Sequence, residues 1–140
     1  MDTNASESKE RIYRILIVDD EEGARDMFFE ILSELSGEPN WEVSTSIDGV
    51  EALAKCEATK FDLILLDIMM PKKDGIQTLT ELKASPEKYG NPRILMLTNI
   101  GGDLAIEEAL KLGAIGYRLK NDTEADALIQ TVKEELGKVG

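Results

Sequence analysis

The sequence predicts an α/β fold: a doubly wound sheet of five parallel strands in the order 2-1-3-4-5, with helices on both faces. Three observations carry this. Short β-rich apolar runs alternate five times with segments of helical periodicity. The connections between them are short, which calls for right-handed crossovers and a parallel sheet. The runs also differ in polarity: the first, third and fourth are apolar throughout, as central strands covered on both faces must be. The second (Trp41, Val43, Thr45) and fifth (Ile115, Tyr117, Leu119) alternate with polar residues. Those two take the edges, and the switch point of the sheet falls between the first and third strands.

Each element follows from local chemistry. "RILIVDD" (Arg14 to Asp20) reads as the first strand, and Ala24, Met27, Phe28, Ile31, Leu32 and Leu35 give the apolar side of the first helix. "WEVSTS" (Trp41 to Ser46) is the second strand. Val50, Leu53 and Ala54 mark a helix whose Asp48 and Glu51 resemble a capping box. "LILLD" (Leu63 to Asp67) is the third strand, a helix spans Ile76 to Ala84, and "RILMLT" (Arg93 to Thr98) is the fourth strand. Asp103 can cap a helix through Leu110, ended by Gly113 in a left-handed turn. "IGYRLK" (Ile115 to Lys120) is the fifth strand. Thr123 can cap a last helix built on Ala125, Leu128, Ile129, Val132 and Leu136. Met1 to Arg11 are polar and without period, so a mobile tail is expected there, with one domain over 12–140.

Composition narrows the function. At 140 residues, 42% hydrophobic and 31% charged, the chain has the make-up of an ordinary globular domain. Its net charge of −12 opposes contact with nucleic acid or an anionic membrane surface, and points to proteins or cations as partners. No apolar run nears the ~18 residues of a membrane span, and the start "MDTNASESKE" lacks the apolar centre of a signal peptide. A cytoplasmic location is expected. The single Cys56 excludes an internal disulfide and reads as a packed residue. Zero histidines remove every His-dependent triad, His-ligated zinc site and His general base. Chemistry must run on carboxylates, hydroxyls and lysines.

In a doubly wound sheet functional groups gather at the carboxyl ends of the strands, beside the switch point. Those ends carry Asp19 and Asp20, Asp67, Thr98 and Lys120, and all five should face one cleft. Two unit charges ~4 Å apart at an effective dielectric near 20 repel by about 4 kcal/mol, so three carboxylates need compensation. Hard oxygen ligands suit Mg²⁺. Three Asp then balance one divalent cation and Lys120. A carboxylate in that setting is a usable nucleophile toward phosphorus, with Thr98 placed to donate to a phosphoryl oxygen.

These residues resemble the receiver domain of bacterial two-component response regulators. The match is the acidic pair ending "RILIVDD", the segment "DIMMPKKDG", "MLT" and "GAIGYRLK"; it runs from about Ile12 to Leu136, and the joint pattern is highly specific. The resemblance implies the flavodoxin-like form of the fold. It also implies that Asp67 accepts a phosphoryl group from a phosphohistidine, on a histidine kinase or histidine phosphotransfer protein. Asp20, Asp67 and the backbone carbonyl of Met69 would bind Mg²⁺, with Asp19 acting through water. Thr98 and Lys120 would contact phosphoryl oxygens, and Thr98 with Tyr117 would form the conformational switch. The chain departs from the family pattern at Asn121, where a proline is usual, and at Asn99, where a small residue is usual. Apolar Met69 and Ile100 near the path of the attacking water suggest a slowly hydrolysed acyl phosphate.

Other readings compete. Asp19 and Asp20 could cap the first helix, Asp67 could begin an Asx turn, Thr98 could be an ordinary strand-end hydroxyl, and Lys120 a solvated edge lysine. Met69, Met70 and Met96 read most simply as packing residues. A phosphatase with an Asp nucleophile would want a second Asp at 69, where Met69 stands; a flavin-binding loop would not carry the acids of "DDEEGAR". A receiver-like interaction domain that is never phosphorylated is a further alternative. With a Met start and short ends, a free-standing domain acting on an unknown downstream protein is expected.

Overall fold

The computed structural model describes residues 11–70, 72–99, 103–122 and 124–139. Five strands, β1 (Tyr13–Val18), β2 (Trp41–Ser46), β3 (Leu63–Asp67), β4 (Arg93–Thr98) and β5 (Gly116–Leu119), form one sheet in the order β2-β1-β3-β4-β5. All four pairings are parallel. The helices are α1 (Glu22–Glu30), α2 (Gly49–Ala58), α3 (Gly75–Ala84), α4 (Pro86–Tyr89), α5 (Asp103–Lys111) and α6 (Ala125–Leu136). A π-helical turn, Ile31–Leu35, extends α1, and a 3₁₀ turn, Lys120–Asp122, follows β5.

The sheet divides the core in two. Leu16, Val18, Ile64, Leu66, Ile94 and Met96 point to one face, where α2, α3 and α5 cover them. Ile15, Ile17, Leu63, Leu65, Leu95 and Leu97 point to the other, under α1 and α6. This period of two, with both faces apolar, is what the uniform β1, β3 and β4 sequences encode. At the edges β2 and β5 stay partly exposed.

Helix ends follow the chemistry of capping, with corrections. Asp48 accepts a hydrogen bond from the Glu51 N–H at 2.8 Å, but Glu51 Oε1 accepts from the Ile47 N–H at 2.7 Å, one residue before the cap. The complete capping box lies instead at α3, where Asp74 and Gln77 satisfy each other's backbone N–H groups at 2.8 and 3.0 Å. Gly113 adopts φ +113°, turning the chain after α5. Thr123, expected to cap α6, lies outside the described residues, as do residues 1–10 of the expected tail. Arg11 sits over the Tyr13 ring at 4.6 Å and pairs with Asp62 at 3.4 Å.

Three residues assigned to buried helix faces are exposed: Met27, Leu35 and Val50. Phe28, Ile31 and Leu32, with partly buried Ala24, fill the α1 side, and the π turn shifts Leu35 off the 3.6-residue stripe. Met70 and Met96 pack in the core as expected, whereas Met69 is 76% exposed. Among the described residues no helix is long and apolar enough to cross a membrane.

Candidate functional site

The carboxyl ends of β1 and β3 carry the first two parts of the site. Asp19 follows β1 and is fully buried. Its N–H bonds the Ser46 carbonyl at 3.1 Å, its own carbonyl accepts from Arg25 Nη1 at 2.9 Å, and its Oδ1 accepts from the Glu21 N–H at 2.9 Å. Asp20 beside it is exposed. Asp67, the last residue of β3, is 3% exposed and sits on the apolar run that the sequence placed beneath it. Its Oδ1 accepts from the Met69 N–H at 3.3 Å, and the next residue, Ile68, is tied to the Leu97 carbonyl at 3.0 Å.

Oxygens of Asp19, Asp20 and Asp67 lie within 4.8 Å of one another. Lys120 enters from the 3₁₀ turn after β5 and is 5% exposed, which overturns the solvated-lysine reading. Its Nζ lies 2.9 Å from Asp19 Oδ2 and 3.5 Å from Asp67 Oδ2. The first of these is an ion pair without hydrogen-bond alignment, which leaves the buried Asp19 Oδ2 with no hydrogen bond. Thr98 ends β4, buried, one position past the Asp67–Leu97 register pair. Tyr117, 46% exposed, pairs with Met96 on the edge strand, two residues before the Leu119–Thr98 pair. Met69 reaches the cluster through its backbone, with its side chain outward.

One participant was not foreseen. Glu21 Oε1 lies 2.6 Å from Lys120 Nζ, a contact between residues 99 positions apart. The run "DDEE" held the signal, since a third consecutive acid at a strand end falls beside the same cleft.

The electrostatics fit a cation. Burial, and then the Asp19 charge, push the Asp67 carboxyl up to about 7, with Lys120 opposing them. Burial alone would depress the Lys120 ammonium, but the hydrogen bond to Glu21 and the nearby carboxylates of Asp19 and Asp67 hold it well above the ordinary lysine range. Lys120 in turn holds the exposed Glu21 carboxyl below its usual value. One lysine among four carboxylates leaves net negative charge. The donor set is all hard oxygen, and Asp19 Oδ2 lacks a hydrogen bond, so these residues fit a divalent cation of the Mg²⁺ type.

By fold and site the chain is an α/β domain with an acidic, lysine-bearing cleft at the switch point of its sheet. The response regulator receiver domain model matches residues 15–133, and the chain belongs to that family, the receivers of two-component signalling systems. It is 36% identical to the chemotaxis protein CheY of Halobacterium salinarum over 108 residues, 76% of this chain and 83% of that protein. It is 39% identical over 132 residues to a protein-glutamate methylesterase/protein-glutamine glutaminase of Geobacter metallireducens, covering 92% of this chain. The chain spans only 35% of that relative's length. Among solved structures it superposes on the CheX–CheY–BeF₃–Mg²⁺ complex of Borrelia burgdorferi with a TM-score of 0.75 and 26% identity, covering 91% of this chain and 92% of that one.

Proposed function

We propose that this receiver accepts a phosphoryl group on Asp67 from a phosphohistidine, in a reaction that depends on Mg²⁺, and signals by changing its contacts with other proteins. The observation that carries the reading is the meeting of buried Asp19, Asp67 and Lys120 with exposed Asp20, drawn from three strand ends, in one cluster. Asp67 Oδ attacks phosphorus, the new P–O bond forms as the P–N bond breaks, and the imidazole leaves with the electron pair and takes a proton from water. Asp67 is the nucleophile because it is buried at the cleft floor and oriented by the Met69 N–H.

Asp20, Asp67 and the Met69 carbonyl would hold the cation, with Asp19 acting through water. When bound, the cation supplies charge neutralisation for the transferring oxygens. The residues do the rest. Lys120 and Thr98 donate to phosphoryl oxygens, and the inward pull on Thr98 draws Tyr117 from its half-exposed place on β5. The CheY in the Borrelia complex is named with beryllium fluoride and Mg²⁺, which supports the same pairing of ligand and ion here. The donor is a histidine kinase or histidine phosphotransfer protein, the receiver is cytoplasmic, and output passes to a downstream protein; the net charge of −12 disfavours nucleic acid.

Intact-mass analysis after incubation with Mg²⁺ and acetyl phosphate tests this. One phosphoryl group on the wild type, and none on Asp67→Asn or without Mg²⁺, is expected. Equal uptake by Asp67→Asn, or no uptake by the wild type, contradicts it and favours a receiver that works unphosphorylated.

A further inference from the structure

Three carboxylates crowd Lys120 Nζ: Glu21 Oε1 and Asp67 Oδ2 accept hydrogen bonds from it at 2.6 and 3.5 Å, and Asp19 Oδ2 stands 2.9 Å away as an ion pair. For Lys120 to turn onto a phosphoryl oxygen at Asp67, one of these contacts has to loosen. Asp19 and Asp67 cannot easily do so. Their side chains are 0% and 5% exposed, and backbone N–H groups of Glu21 and Met69 hold them. The Glu21 side chain is 55% exposed and hangs from the loop before α1, yet it makes the shortest contact of the three.

Glu21 has a second tie. The Asn99 side chain, on the loop that follows Thr98, adds to Lys120 in holding the Glu21 carboxyl below its usual range. The carboxylate thus links the loop after β1 to Lys120 at the end of β5, with its side chain half exposed. Its charge is surplus to the balance. Asp19, Asp20 and Asp67 are offset by one divalent cation and Lys120, and Glu21 adds a negative charge that meets an incoming phosphoryl group. Nor is it needed to cap α1, where it stands at the N-cap position without a side-chain cap hydrogen bond.

We propose that Glu21 is a positioning residue that competes with the phosphoryl group for Lys120, so that it holds the domain in its resting form and lowers the affinity of the Asp67 site for phosphoryl oxygens. On phosphorylation Lys120 exchanges Glu21 for a phosphoryl oxygen, and the half-exposed Glu21 side chain swings away. The inference rests on the reading of Asp67 as the phosphoacceptor.

Two variants separate competition from simple charge. Glu21→Ala removes both contact and charge, whereas Glu21→Asp keeps the charge on a side chain one methylene shorter, which draws it off Lys120. In the metal-free protein, NMR of the Lys120 ammonium should show protons that exchange with water faster in both variants than in the wild type. With Mg²⁺ and beryllium fluoride as a stand-in for the phosphoryl group, both variants should bind roughly threefold to tenfold more tightly than the wild type, the range that one partly exposed, charge-assisted contact spans. If only Glu21→Ala gains, or neither does, or ammonium exchange is unchanged, competition for Lys120 is refuted. If the wild type binds no beryllium fluoride and Asp67→Asn behaves identically, the phosphoacceptor reading itself fails and this proposal with it, a result distinct from a wild type that binds but does not respond to Glu21.

Discussion

Gly75 lies so close to Asp67 that a β-carbon on it would stand 2.3 Å from the Asp67 carbonyl oxygen and 2.8 Å from the Ile68 Cα. The Gly75 N–H also bonds the Ile68 carbonyl at 2.9 Å. The start of α3 is therefore packed directly on the backbone that carries Asp67, and the "DG" after the methionines has a steric cause. The Asp caps α3, and the Gly allows the cap to touch the strand end.

Gly75→Ala should destabilise the fold by about 1–3 kcal/mol, the usual cost of forcing an extra carbon into a packed contact, despite the better helix propensity of Ala. Gly23→Ala is the matched control, because Gly23 lies in α1 with nothing within 4 Å of a built β-carbon. It should stabilise by roughly 0.5–1 kcal/mol. Urea denaturation of both variants checks the pair. Equal effects would mean that the approach of Gly75 to Asp67 imposes no constraint.

The raised Asp67 carboxyl predicts a pH dependence for the metal-free domain. Its folded value of about 7 lies above the ordinary aspartate value of 3.8, so between those pH values the fold holds a proton that the unfolded chain releases. This contribution to stability is fully present below about pH 4 and is lost as pH rises through about 7. Asp67→Asn cannot ionise and should gain on the wild type across that window, by a few kcal/mol at most. Millimolar Mg²⁺ should shrink the gain by favouring the carboxylate. Denaturation midpoints of the two proteins at pH 5 and pH 8, with and without Mg²⁺, provide the test. A difference independent of pH would contradict the electrostatic account of the site.

Cys56 is 1% exposed, and burial pushes its thiol up to about 11. Native protein should react with an aromatic disulfide reagent at pH 8 roughly a hundredfold or more slowly than unfolded protein, since only the thiolate attacks. Cys56→Ser should cost about 1–3 kcal/mol by placing a hydroxyl in an apolar site. Rapid native labelling would show that α2 opens away from the sheet far more often than its packing implies.

The sheet was legible because its information is local. Apolar runs of uniform character name β1, β3 and β4 as central, and alternation names β2 and β5 as edges. What escaped the sequence is short or long-range. The four residues of α4 are too few for a period, though Ser85-Pro86 marks their start, with the proline at the first helical position. The π turn at Ile31–Leu35 has no distinct pattern, and it carries Leu35 into solvent. Asp19, Asp20, Asp67 and Lys120 could be placed together from strand ends alone. The Glu21–Lys120 contact could not, because it depends on which acid of "DDEE" turns inward after β1. Nor could the outward turn of the Met69 side chain, beside a backbone N–H that faces Asp67.

The central claim is that Asp67 itself takes the phosphoryl group, and its most direct measurement is chemical localisation. Acyl phosphates of aspartate are reduced by borohydride to homoserine, which marks the modified position permanently. After incubation with acetyl phosphate and Mg²⁺, reduction and peptide mass spectrometry should find homoserine at position 67 and at no other acidic residue. Homoserine at position 19 or 20, or none in a protein whose fold is intact, would contradict the account.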